Sequence, residues 1–273
     1  MGSYEDQSRG RAQGLAQAKV LVCESNGSLR QAIRSGLKKL GILETIEASD
    51  FGKTRQAIEL GGFDALILNA DMEGRDTCGL LRELRLGHLG GDPFVVSIVL
   101  MAGSDSGRLR RAVDSGTDDL LLIPFPPDQL ANRLDALKSR RKPFVVTHDY
   151  IGPDRRKAER TGSRGGVASP LVPPNPLAAR AAGISPEQYA RERSQALQTL
   201  RMERIKRLAA ATEWECRRMM STIAESGDTR DQLAQAFDKL DRLLDELAAR
   251  GKTAHALALK LQVPANRISA IVA

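Results

Sequence analysis

The chain has 273 residues and 29.7 kDa, with 41 Lys+Arg against 34 Asp+Glu, a formal net charge of +7. Hydrophobic residues make up 41% and aromatics 4%, which suits about two globular domains and excludes wholesale disorder. No apolar run approaches the ~18 residues that cross a membrane, and the polar start lacks a secretory pattern. Cys23, Cys78 and Cys216 stand far apart without CxxC spacing. A zinc site or disulfide framework is therefore not expected, and a reducing cytoplasm is.

The charge is uneven. Residues 1–138 hold 17 Lys+Arg against 19 Asp+Glu, and the remainder 24 against 15. Two readings stay open: halves with different partners, or ordinary basic helix surfaces.

Residues 1–17 read as a flexible polar tail. Residues 18–23 are a short apolar run of strand length, followed by cap and turn residues at 24–28. Leu29, Ile33, Leu37 and Leu40 then mark one helix face, with Gly41 as its stop. A short strand at 42–47 and a helix at 53–60 follow. Residues 65–68 are a buried-strand run ending in the loop 69–74, and a helix starts near Asp76. Residues 94–101 are the strongest strand, β-branched and apolar. A helix through Leu109 and Val113 leads to the strand 120–123, closed by Pro124, and to a last helix through Leu130, Leu134 and Leu137.

Five short apolar strands alternating with five amphipathic helices predict an α/β fold, a doubly wound parallel sheet covered on both faces. In such sheets the functional crevice lies beyond the carboxyl ends of the strands. The loops after Cys23, Asn69, Met101 and Ile123 are the ones to inspect.

Those loops carry a resemblance. Segment 19–30, segment 63–85 with Gly74 and Asp76, and segment 112–125 with Ala-Val-Asp-Ser-Gly-Thr-Asp-Asp and Ile-Pro-Phe resemble the receiver domain of bacterial two-component response regulators. The resemblance covers residues 18–139 and implies a flavodoxin-like five-stranded sheet. It also implies a phosphorylation pocket: an acidic pair and an Asp holding magnesium, that Asp accepting a phosphoryl group, and a hydroxyl and a lysine contacting its oxygens. Here the acidic pair falls on Glu24 and Ser25, the acceptor on Asn69, the hydroxyl on Met101 and the lysine on Ile123. A cis peptide before Pro124 is implied in the same way.

The departures have chemical consequences. An amide has no anionic oxygen to attack phosphorus. Magnesium wants several hard oxygens, and two of three carboxylates are gone. Ile123 and Met101 can neither neutralise nor hydrogen-bond a phosphoryl group. The expectation is a pseudo-receiver without phosphotransfer. Asp71, two residues past Asn69, reads as a solvated loop residue. Weak magnesium binding at Glu24 and Asp71 is not expected, nor is any cofactor.

After the fifth helix, residues 140–184 read as a basic, Gly/Pro-rich linker. Within it, Phe-Val-Val-Thr-x-x-Tyr-Ile-Gly-Pro-Asp-Arg-Arg, at 144–156, looks like a segment that follows receiver domains in some alphaproteobacterial regulators. It reads as an extended piece, a turn at Gly152-Pro153, and a basic cluster in which Arg155 and Arg156 are candidate partner or nucleic-acid contacts. Residues 185–273 read as a helical domain. Ser185 caps a long helix bearing many arginines, and a second helix carries Leu233, Phe237, Leu240, Leu244 and Leu247 in near-heptad phase. Residues 253–269 look like the helix-turn-helix core of lambda-repressor-type regulators, with Asn266 and Arg267 on the recognition helix.

The sequence thus points to a response-regulator-like signalling protein of a phosphorelay pathway that acts by protein–protein docking. Its expected partners are proteins of a bacterial signalling pathway, with a homodimer through the C-terminal helices. The alternative is a transcriptional regulator binding DNA through its C-terminus. An enzyme is not expected, since His88, His148 and His255 lie in unrelated contexts.

Overall fold

The computed structural model describes residues 15–103, 105–156, 170–225 and 230–248. These fall into two compact units. One runs to Val145 and again from Asp149 to Ala196; the other takes Val146–His148 and the residues from Leu197 on.

The first unit is the doubly wound fold. Its elements begin β1 (Lys19–Cys23), α1 (Gly27–Lys39), β2 (Glu44–Ala48), α2 (Phe51–Leu60) and β3 (Ala65–Asn69). A two-residue-strand hairpin follows, β4 (Asp71–Met72) and β5 (Arg75–Asp76), then α3 (Cys78–Leu86), β6 (Val96–Ala102), α4 (Ser106–Asp114), β7 (Asp119–Ile123) and α5 (Pro127–Ser139). The main sheet has the order β2-β1-β3-β6-β7, parallel throughout. This is the flavodoxin-like arrangement expected. Side chains alternate between two cores. Val20, Val22 and Ile67 face Ile33 and Leu37 of α1 and Leu130 and Leu134 of α5. Leu21, Leu66 and Leu68 face Ile58 of α2, Leu81 and Leu84 of α3, and Ala112 of α4. Burial on both faces is why these strands read as continuous apolar runs.

The segment read as a loop at 69–74 is partly the β4–β5 hairpin. Its two-residue turn is Glu73 (φ 58°) and Gly74 (φ 75°), the left-handed pair that a tight hairpin needs. The Ile123–Pro124 peptide is cis.

The stretch read as a linker is structured where it is described. β8 (Phe144–Val146) pairs with β9 (Ile151–Pro153), so Gly152 and Pro153 lie in a strand rather than a turn. Leu171 bridges Phe144, with backbone hydrogen bonds of 2.7 and 2.9 Å. Helix α6 (Pro176–Ala181) buries Leu177 in the same core as α1 and α5. Asn175 joins two helices: its amide donates to the Leu137 and Lys138 carbonyls at the end of α5, and its Oδ1 accepts from Ala178 N at the start of α6. Sparse apolar residues at 144, 151 and 177 hold this segment down, and such spacing gives no periodicity to read. Residues 157–169 lie outside the described residues.

Helix α7 (Pro186–Glu225) starts at the Ser185 cap, whose Oγ accepts from Gln188 N, and α8 (Arg230–Ala248) follows. In the second unit, Arg204 pairs with Glu246, and Lys239 reaches Glu215 at 3.2 Å. Those two pairs set an antiparallel register, with Leu208, Leu240, Leu243 and Leu244 buried beside them. The hairpin is not basic: residues 197–248 carry 9 Lys+Arg against 10 Asp+Glu. Asn266, Arg267 and the helix-turn-helix-like stretch lie outside the described residues, as do the side chains of Leu233, Phe237 and Leu247. Among the described residues no helix is long and apolar enough to cross a membrane.

Candidate functional site

At the carboxyl ends of the strands lies a cleft of about 330 Å³, lined by Asn69, Asp71, Asp76, Met101, Arg108 and Arg111 among others. Three of the residues expected there, Asn69, Asp71 and Met101, do line it. Glu24 sits just behind, 1% exposed, at the end of β1.

The centre of the site is a direct hydrogen bond. Asn69 Nδ2 donates to Glu24 Oε2 at 2.7 Å, while Glu24 Oε1 accepts from Asn26 N at 2.8 Å. Asn69 Oδ1 accepts from Asp71 N at 3.2 Å. The amide thus stands between the β1 loop and the β3 loop and is bonded to both. Below it, Thr77 Oγ1 donates to the Asn69 carbonyl, and Ala70 N donates to Leu100 O at 2.7 Å. The side chain of Asp71 is exposed.

The remaining positions carry no charge into the cleft. Met101 is 2% exposed, packed at the end of β6. Ile123 packs against the α1/α5 core. Ser25 is exposed; its carbonyl and that of Glu24 accept from Arg30 Nη1 at 2.9 and 2.8 Å, and Arg30 Nε is held by Glu47 at 3.0 Å. Arg30 therefore fastens the β1 loop from outside.

Sequence reasoning missed two cations. Arg108 and Arg111 reach the cleft from α4, one helical turn apart, and Arg111 lies 3.8 Å from Asp76. The i, i+3 spacing after β6 was the available signal. Cys78 also lines the cleft, but burial pushes its thiol up to about 12, so it stays protonated. Among the described residues no group of three or more His, Cys, Asp or Glu is placed to hold a metal ion.

The two arginines expected to contact partners are engaged locally. Arg155 Nη2 donates to the Thr117 carbonyl at 2.6 Å. Arg156 makes a two-point pair with Asp154, two residues away, which holds the Asp154 carboxyl down to about 2. His148 lies in the bend between β8 and β9.

No protein-family model matches the chain. It is 33% identical over 124 residues to the response regulator protein PmrA of Pseudomonas aeruginosa, covering 45% of this chain and 53% of that protein. It is 27% identical over 128 residues to the chemotaxis protein CheY of the same organism, covering 45% of this chain and 97% of that one. Among solved structures, the receiver domain of the Francisella response regulator 1452 has 27% identity, covers 44% of this chain and 96% of its own, and gives a TM-score of 0.39. The chain spans about half the length of the first curated relatives it matches. Sheet order, cleft position and curated relatives together define a receiver domain. The N-terminal part of this chain is a receiver domain of the response-regulator type found in two-component signalling, followed by a helical extension.

Proposed function

We propose that this receiver domain accepts no phosphoryl group and works as a docking module for proteins of a bacterial signalling pathway. The observation that carries the reading is the Asn69–Glu24 hydrogen bond at 2.7 Å. It puts a neutral amide against the carboxylate that would otherwise face a cation, and the amide oxygen is no nucleophile for phosphorus. Met101 and Ile123 support the same reading, because neither offers charge or a hydrogen bond to an incoming phosphate. On this reading the chain is no enzyme and needs no cofactor, and Glu24 with Asp71 does not retain magnesium. The test is incubation of the full chain with acetyl phosphate and Mg²⁺, read by intact mass. No gain of a phosphoryl group is expected; stoichiometric incorporation overturns the reading.

A second reading has one line of support. Two further relatives are named as transcriptional regulatory proteins, QseB of Haemophilus influenzae and PhoB of Escherichia coli, matched over 45% and 47% of this chain. A DNA-binding C-terminus predicts binding to duplex DNA that weakens steeply between low and moderate salt. Binding that ignores salt, or none, favours protein docking through the C-terminal helices, including a homodimer.

A further inference from the structure

We propose that Arg141, Phe144, Gly152 and Arg155 form a built-in clamp on the turn between α4 and β7. The clamp holds the receiver sheet in one conformation, whatever occupies the cleft at the opposite pole. It deepens the docking reading above, and rests on it in one respect: a docking surface that is not switched has to be held still.

Three residues of the turn, Gly116, Thr117 and Asp118, are gripped separately. The Asp118 side chain, 1% exposed, takes Arg141 Nε at 2.8 Å on one oxygen and both Arg141 Nη2 and Arg85 Nη2 at 3.0 Å on the other. Arg141 also donates to the carbonyls of Phe94, Val95 and Pro174, at 2.6, 3.1 and 2.8 Å. The Phe144 ring packs against both guanidinium groups, at 4.9 Å from Arg141 and 5.1 Å from Arg85. Thr117 offers its carbonyl to Arg155. Gly116 (φ 79°) meets Gly152 backbone to backbone: a Cβ on Gly152 would lie 2.6 Å from Gly116 Cα.

The grip has a mechanical consequence. The pinned turn ends α4, whose Arg108 and Arg111 line the cleft, and begins β7, which carries Ile123. A shift of either element needs the Asp118 network to break or to find a second arrangement with every donor satisfied. Breaking it exposes buried charge to a poor solvent.

The test is amide hydrogen exchange on the full chain. In the parent, exchange at 115–119 is expected to be slow and unchanged when Mg²⁺ and acetyl phosphate are added. Arg141→Ala is expected to raise exchange there by about tenfold or more beyond any rise shared with Val20, Leu21 and Ile67. Should that variant fail to fold, Arg155→Ala removes one hydrogen bond from Thr117 and is expected to give a local rise of roughly severalfold. A rise spread evenly over the sheet, or no rise at the turn in Arg155→Ala, overturns the clamp. Faster exchange at the turn on adding Mg²⁺ and acetyl phosphate, with no phosphoryl group found by mass, overturns the clamp alone. Incorporation of phosphate overturns the docking reading.

Discussion

Arg141 and Asp118 meet at 2.8 Å with side chains only 3% and 1% exposed, although 23 residues separate them in the chain. Two similar pairs tie the second half of the chain to the first: Arg180 with Asp64 at 3.1 Å and Arg193 with Asp92 at 3.6 Å. Residues 139–196 carry 11 Lys+Arg against 5 Asp+Glu. Part of the positive excess is therefore an internal complement to acids of the receiver rather than a sign of an acidic partner.

Removing Arg141 should be costly. Arg141→Ala leaves Asp118 with Arg85 as its one remaining cation, beside Ser97 N at 2.9 Å, and strips three buried carbonyls of a donor, so a loss of about 3 kcal/mol is expected. Arg133 pairs with Asp119, the next residue, at 3.1 Å but is 46% exposed. Arg133→Ala should cost less than about 1 kcal/mol. Urea unfolding of the two variants checks the contrast, and equal losses would contradict the assignment of the buried network.

The same carboxylates fix the pH response. Burial alone would raise Asp118, but Arg141 and Arg85 outweigh it and hold the carboxyl below the usual aspartate range. The folded value lies below the unfolded one, about 3.9. Its stabilising share is thus complete above that value and is lost as pH falls through the folded value. Asp64 has the opposite sign. Burial raises it more than Lys19 and Arg180 lower it, so stability falls as pH rises from the ordinary aspartate range through the raised value. Urea midpoints taken across this range are expected to show an acid-side loss that Asp118→Asn reduces, and a shallow decline above it that Asp64→Asn removes.

Much of the receiver was legible because its physics is local and repetitive. The run Leu66-Ile67-Leu68 is apolar at every position since both sheet faces are covered, and Asn69 follows directly at the strand end. The Asn69–Glu24 bond was not legible: the sequence shows an amide where an acid is expected, but not that the amide turns toward Glu24. Arg85 was equally hidden. Arg82 and Arg85 sit three apart on α3, yet Arg82 is exposed and Arg85 is 1% exposed, a difference set by Ser97 on β6 and Asp118 in the turn before β7. The extension read as a linker because Gly and Pro usually mark loops, whereas Gly152 is there to let two backbones touch.

That glycine contact makes a prediction of its own. Gly152→Ala sets a methyl group 2.6 Å from both Gly116 Cα and the Tyr150 hydroxyl, so it should destabilise by about 1–3 kcal/mol. Gly79, inside α3, has no atom within 4 Å of a built Cβ. Gly79→Ala should stabilise by roughly 0.5–1 kcal/mol through helix propensity. Thermal unfolding of the pair is expected to shift in opposite directions.

Asn69→Asp examines the pocket directly. The substitution removes the donor that meets Glu24 at 2.7 Å and sets two carboxylates in contact. Two like charges that close do not both ionise without help, so a loss of about 1–3 kcal/mol is expected in divalent-free buffer. Millimolar Mg²⁺ should restore it, because a hard cation bridges two carboxylates where the amide hydrogen did before. Urea unfolding of the variant with and without Mg²⁺ reads this out. Acetyl phosphate should still leave the variant unmodified, since Met101 and Ile123 offer nothing to the phosphoryl oxygens. Adding Met101→Thr and Ile123→Lys supplies the hydroxyl and the charge, and incorporation by intact mass is expected only in the triple variant. A single Asn69→Asp variant that keeps parental stability without Mg²⁺ would mean that the Glu24 hydrogen bond does not hold the β1 and β3 loops together.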